Sequence, residues 1–283
     1  MQQQNKLRFS GHESFHCRHF WLKKGYDFNK AHKNGYDIND AVVELGVGKN
    51  MVSAIDFWLK SFGLKRTDET KELTDLADKL LNSDNGWDPY LEDPGTLWLL
   101  QYYLLKTEYA SLYKIIFTKY RKQRVSNEFN QNQIKNFLKS EIAKQTQVNY
   151  NENTANTDLK VFLKSYLPPQ KDSKSIEDDF SALFIDLGIL VENLKEEGKE
   201  QSYKFLVTER EEIPAEIFLY TILDTFEGDN VSISFNNIAN EMKDVFLINK
   251  DGIDLKLKQI IDIYPGTTLS DNGGVKELQF KGA

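Results

Sequence analysis

Twelve residues near the N-terminus concentrate groups able to do chemistry: Arg8-Phe9-Ser10-Gly11-His12-Glu13-Ser14-Phe15-His16-Cys17-Arg18-His19. Within them, His12-Glu13-Ser14-Phe15-His16 matches H-E-x-x-H. On a helix that pattern sets two imidazoles one turn apart with a glutamate as general base, the arrangement of zinc proteases. The motif sits beside a glycine at the start of the chain, and the nearby third ligand, His19, lies one turn further along the same short segment. Both features count against a zinc protease. A second reading takes Ser10 and Glu13 as a capping box. It opens a helix running to about Lys24, with Phe15, His19 and Leu22 inward and Gly25 ending it. A third reading joins the parts. A helix N-terminus flanked by Arg8, His12 and Arg18 suits a phosphate. It could hold a DNA backbone or cut it, with His12 or Glu13 moving the proton and Arg8 and Arg18 stabilising charge that develops on the phosphate. Magnesium or manganese would serve such a nuclease. Binding and cutting both stay open.

The elements that would present these groups to DNA begin at Ile38. Asn39 is read as the cap of a short helix, Asp40–Leu45, broken by the turn Gly46-Val47-Gly48. A longer amphipathic helix follows from Lys49 to Phe62, with Met51, Ile55, Leu59 and Phe62 on one face and Asn50, Ser53, Asp56 and Lys60 on the other. Gly63 ends it. Leu64–Thr67 and Lys71–Leu73 then flank a polar turn and form a hairpin of wing size. The order helix, turn, helix, hairpin predicts a winged helix-turn-helix. In that reading Lys49, Asn50 and Ser53 approach bases, while Lys60, Lys65 and Arg66 meet phosphates. Asp56 fits worst, since it would repel phosphate unless it accepts from a cytosine amine. A plain helical hairpin in a core, or a winged helix that binds protein, is the alternative.

Charge permits DNA contact. The chain carries a net −7, yet residues 1–66 hold 11 Lys+Arg against 6 Asp+Glu, and residues 106–150 hold 9 against 3. A local positive face matters more than the average. One cysteine, Cys17, excludes an internal disulfide and suits a reducing compartment. No apolar run approaches a membrane span and no signal peptide is recognised. The expectation is a cytoplasmic protein with no membrane partner.

Three segments are expected: an N-terminal winged helix-turn-helix domain (1–104), a helical middle (105–171) and a C-terminal winged-helix-like α+β domain (172–283). The fold class is mainly α with small β-hairpins. Asp93 caps a helix with Pro94 at its first position, and the polar stretch Asn149–Asp158 reads as a loop. Further on, Leu187–Val191 and Tyr203–Leu206 read as strands, and Pro214–Phe226, Phe235–Met242 and Asp254–Tyr264 as helices. The turn Asp271–Gly274 precedes a last strand, Val275–Phe280. Gly46–Asn50 lacks the full phosphate-loop pattern. Asp88, Glu92 and Asp93 are the types that hold magnesium, but turn and cap chemistry accounts for such a group more simply.

Phe9-Ser10-Gly11-His12-Glu13-Ser14-Phe15, Arg18 and Trp21–Gly25, then Leu45–Val52, then Asp88–Trp98 resemble in order the blocks of a bacterial family, the domain of unknown function numbered four thousand and seven. The resemblance covers residues 8–105 and, more loosely, the Gly-Gly-Val turn at 273–275. It implies a place in bacterial defence islands, beside enzymes that resemble phosphoadenosine-phosphosulfate reductases. One branch resembles the nicking subunit of the single-strand DNA phosphorothioation (Ssp) system. By that resemblance Arg8, His12, Glu13 and Arg18 form an active or phosphate-binding cluster, with His16 outside the pattern. The implied function is the DNA-binding component of a phosphorothioate-modification or defence system that nicks one strand. Its partners would be double-stranded DNA and the system's other subunits. The alternative is a non-catalytic DNA-binding adaptor or transcription factor.

Overall fold

The computed structural model describes residues 7–33, 35–144, 149–169, 182–195, 197–226, 232–272 and 274–280. The chain is mainly helical with two small antiparallel sheets, and it divides into two compact units, Met1–Lys204 and Phe205–Ala283.

The first unit begins with an irregular segment and then α1 (Trp21–Ala31), α2 (Ile38–Leu45) and α3 (Lys49–Ser61). Asp37, rather than Asn39, caps α2, its carboxylate accepting from the Asn39 N–H at 2.7 Å. Gly46 (φ 65°) ends α2 in the left-handed conformation that glycine adopts without a Cβ clash. After α3, residues 64–74 fold back as a narrow hairpin. One β-bridge joins Lys65 to Leu73, and Arg66 N–H donates to Glu72 O while Thr74 N–H donates to Leu64 O. Thr74 then caps α4 (Asp75–Leu81), and Asp93 caps α5 (Pro94–Lys106) through the Gly95 N–H at 2.6 Å. Ten residues of α5 are buried, so it is the central rod of the unit.

Short α6 (Ser111–Lys114) passes into a π-helical turn, Ile115–Tyr120, and α7 (Gln131–Ala143) follows β1 (Glu128–Asn130). α8 (Glu152–Tyr166) follows, and its first half, 152–158, lies in the stretch Asn149–Asp158 that the sequence reading placed in a loop. The polar run misled because its function is to start a helix. Asn151 accepts from the Thr154 N–H at 3.0 Å, and Ala155, Asp158, Leu159 and Phe162 then fall at helical spacing on a buried face. Gly25 corrects another expectation. It does not end a helix but lies inside α1, where a Cβ would come within 2.5 Å of Ile55, so its lack of a side chain lets α1 and α3 approach closely. The strands β2 (Leu190–Glu192) and β3 (Ser202–Phe205) complete a sheet of order β1-β3-β2.

The second unit runs α9 (Ala215–Thr225), β4 (Ser232–Ser234), α10 (Phe235–Phe246), α11 (Lys250–Ile263), β5 (Thr267–Asn272) and β6 (Val275–Phe280). Its sheet has the order β4-β6-β5, with Leu278 opposite both Ile233 and Leu269. The expected helices and hairpin are present, with α10 longer by one turn and α11 starting four residues earlier. β5 runs through Asn272, so the turn expected at 271–274 starts later, and Gly273 within it lies outside the described residues. Among the described residues no helix is long and apolar enough to cross a membrane.

Candidate functional site

The segment carrying His12 and Glu13 is not a helix. Residues 10–15 form a tight turn, closed by Glu13 N–H to Ser10 O at 3.2 Å and Phe15 N–H to His12 O at 2.8 Å. Ser10, Glu13 and Ser14 all have positive φ (59°, 49° and 68°). Left-handed backbone costs a residue with a side chain roughly 1–2 kcal/mol, so this turn exists because its surroundings hold it. The capping-box and helical H-E-x-x-H readings are therefore both corrected. Local spacing suggested a helix, and tertiary anchors override it. Among the described residues no three His, Cys, Asp or Glu side chains converge as a metal cradle.

The anchors are specific. Asp158 on α8 is 2% exposed and accepts from the Ser10 N–H at 3.0 and 3.1 Å. Its Oδ1 lies 3.3 Å from His12 Nε2. His12, also 2% exposed, stacks on Trp58 at 6.1 Å between centroids and meets the Phe57 ring edge-on at 5.7 Å. The Trp58 indole N–H donates to Phe15 O at 3.0 Å. Gly11 sits against Phe57, where a Cβ would come within 2.4 Å of the ring. His12 is thus enclosed on α3 and α8, whereas Glu13 is exposed.

The two arginines of the cluster go different ways. Arg18 lies with its guanidinium 5.3 Å from the Trp21 ring, in a segment where Leu183 N–H donates to Cys17 O. Arg8 is exposed. Its backbone N–H donates to Ser111 Oγ at 2.8 Å, and its guanidinium lies over the Tyr109 ring at 4.1 Å. Burial pushes the Cys17 thiol well up, which makes it a poor nucleophile.

On α3, Lys49, Asn50 and Ser53 are exposed. The first turn contains no acidic residue and Gly48 provides no side-chain cap, so the positive end of the helix is open. The remaining predicted contacts divide. Asp56, the residue that fitted worst, holds Lys60 Nζ at 2.5 Å and Lys65 Nζ at 2.6 Å, and Lys65 also donates to Asn29 Oδ1 at 2.6 Å. Burial pushes the Asp56 carboxyl up, but attraction to Lys65 and hydrogen bonds from both lysines outweigh it and leave the group below its ordinary value. Arg66, by contrast, is 58% exposed, 3.7 Å from Asp68.

Arg8 and Arg66 line the same cleft, of about 530 Å³, together with Lys60, Lys65, Glu108 and Tyr109. The tertiary structure thus joins one residue of the N-terminal cluster to three of the helix-hairpin cluster. Asp158 and Tyr109 were missed by sequence reasoning. Asp158 had no signal, since it lay in a stretch read as loop 146 positions from His12. Asp88, a magnesium candidate, instead accepts from the Glu92 and Asp93 N–H groups at 2.9 and 3.0 Å.

Two solved structures share this architecture. One is described as "Magnesium ion-bound SspB crystal structure", with a TM-score of 0.84 and 27% identity, covering 98% of this chain and 84% of that one. The other, "SspB crystal structure", has a TM-score of 0.81 with the same identity and coverage. No curated protein matches the chain. The profile of the family described as "Protein of unknown function (DUF4007)" matches residues 9–283, and the chain belongs to that family.

Proposed function

We propose that this chain is the DNA-binding component of a bacterial modification or defence system of the Ssp phosphorothioation type, acting with that system's other subunits. The likeness to SspB supports the system. The observation that carries DNA binding is the cleft that Arg8 and Arg66, 58 positions apart, line together at the C-terminal end of α3. In this reading α2, α3 and the hairpin at 64–74 serve as a winged helix. Lys49, Asn50 and Ser53 approach base edges, and Arg8 and Arg66 take backbone phosphates as exposed, bidentate donors. Lys60 and Lys65 add positive potential but share it with Asp56, so their share of the affinity is smaller.

The four residues Arg8, His12, Glu13 and Arg18 divide by role. His12 is a positioning residue: closed off by Trp58, Phe57 and Asp158, it fixes the turn that carries Glu13 and directly follows Arg8 and Phe9. Glu13 is the exposed proton acceptor of the cluster, so strand nicking would draw on Glu13, with Arg8 on the phosphate. A similar SspB structure holds magnesium. Among the described residues of this chain no three His, Cys, Asp or Glu side chains form a cradle for it.

Duplex affinity measured against salt tests the cleft. Each phosphate contact removed should lower the slope of log affinity against log salt by about 0.9. Arg8→Ala and Arg66→Ala should each do so, and an unchanged slope in both would sink the cleft as the DNA site. Incubation with supercoiled plasmid and magnesium or manganese addresses cutting. Open circles from wild type but not from Glu13→Gln, with binding retained, would establish nicking. Intact plasmid beside intact duplex binding would favour the adaptor.

A further inference from the structure

The loop between α4 and α5 contains the block from Asp88 that the DNA reading leaves without a role, and it is built to be rigid. Gly86 packs where a Cβ would come within 2.4 Å of Asn82 O, and Trp87 and Asp88 N–H groups donate back to Lys79 and Leu80. The Asp88 carboxylate grips two following N–H groups, and Leu91 is held in a left-handed conformation (φ 58°) with its side chain 1% exposed. Such strain persists only where neighbours over-determine it, and it clusters at functional sites.

What this frame presents is a pair of aromatic rings. Trp87 is 68% exposed and Tyr90 54%, whereas Trp21, Trp58 and Trp98 are all at most 4% exposed. Trp and Tyr are the residues most enriched among binding hot spots, and a rigid frame lowers the ordering cost of using them. The charge around them selects the occupant. From Leu80 to Leu105 there is no lysine or arginine, against four carboxylates, Asp84, Asp88, Glu92 and Asp93. Bases could stack on such rings, but their phosphates would meet the exposed carboxylates Asp84, Glu92 and Asp93, while Lys79 flanks the loop and Lys23, bonded to Ser83, is buried and already paired with Asp27. A guanidinium or ammonium would gain twice, over the ring faces and beside the carboxylates.

We propose that the loop at 82–93, through Trp87 and Tyr90, is a docking site for a protein segment that presents arginine or lysine. The full chain should be panned against a displayed library of random short peptides, with an oligo(dT) strand as the nucleic-acid comparison. Wild type should enrich cationic peptides whose binding weakens as salt rises. The double variant Trp87→Ala/Tyr90→Ala should bind them at least about 30-fold more weakly, the scale of losing a hot spot. Trp87→Phe/Tyr90→Phe should stay within a few-fold, and both variants should keep the wild-type melting temperature and duplex affinity. As the exposed tryptophan, Trp87 should also be shielded from iodide quenching when peptide binds. Absence of cationic enrichment would overturn the proposal. So would equal peptide binding by the alanine double variant, or oligo(dT) binding that the same variant loses.

Discussion

The chain twice folds two helices around a tight turn and follows the second helix with a hairpin, once with α2 and α3 and once with α10 and α11. The two share an electrostatic device. On α3, Asp56 holds Lys60 one turn on and Lys65 from the hairpin. On α11, Asp254 holds Lys258 one turn on, at 2.7 Å, and Lys276 from β6. Each carboxylate staples its helix to its hairpin. Beyond that the regions diverge. The α2–α3 turn uses Gly46 in the left-handed conformation, while the α10–α11 turn uses Leu247 (φ 52°), whose side chain is fully buried. Helix α11 is capped by Asn249 and carries Asp251 in its first turn, whereas α3 has neither. The second unit holds 7 Lys+Arg against 14 Asp+Glu, so the whole net charge of −7 lies there, and the first unit balances at 29 against 29. A shared local arrangement therefore does not specify a shared partner. What surrounds the second helix decides that.

Three sets of substitutions break or sharpen this comparison. The largest effect is expected at Gly252, on the first turn of α11, where a Cβ would come within 2.2 Å of the Glu209 carbonyl oxygen. Gly252→Ala should destabilise the second unit by about 3 kcal/mol, because backbone gives way less readily than a side chain. Denaturant unfolding with probes in each unit should show the loss there alone. A melt that shifts the first unit equally would mean the two do not unfold independently.

Next comes Asp56→Asn set against Asp254→Asn. The Asp56 carboxyl titrates below its unfolded value, so its contribution is full above about pH 4 and is lost as pH falls through the folded value. At neutral pH Asp56→Asn should cost about 1–2 kcal/mol, since it strands the 5%-exposed Lys65 without its counter-charge. That difference from wild type should shrink below pH 4. Asp254→Asn should cost about 0.5 kcal/mol or less, its lysines being more exposed. Equal costs would show that burial does not separate the two staples.

The smallest effect separates the surfaces rather than the cores. Lys49→Ala with Asn50→Ala should weaken duplex binding about tenfold, and Lys250→Ala with Lys258→Ala less than about twofold, by fluorescence anisotropy at fixed salt. Equal losses would assign DNA to both regions.

Much of the local architecture was legible in the sequence. Gly46-Val47-Gly48 marked the turn, the apolar spacing from Met51 to Phe62 marked α3, and Asp93-Pro94 marked the start of α5, because these signals act through neighbours in the chain. The opening residues also carried the family. What the sequence could not decide was every feature set by distant partners. Ser10-x-x-Glu13 reads as a cap, yet Asp158 and Trp58 hold it as a strained turn. His12 reads as a reactive imidazole, yet its surroundings enclose it. Asp56 reads as a misfit on a DNA-facing helix, yet Lys65 arrives from the hairpin to explain it. Arg8 and Arg66 meet in one cleft only once α3 and the segment after α5 have packed. Helix periods and caps are short-range and so are written locally, whereas burial and charge pairing depend on which distant residues the packed core brings within a few ångströms.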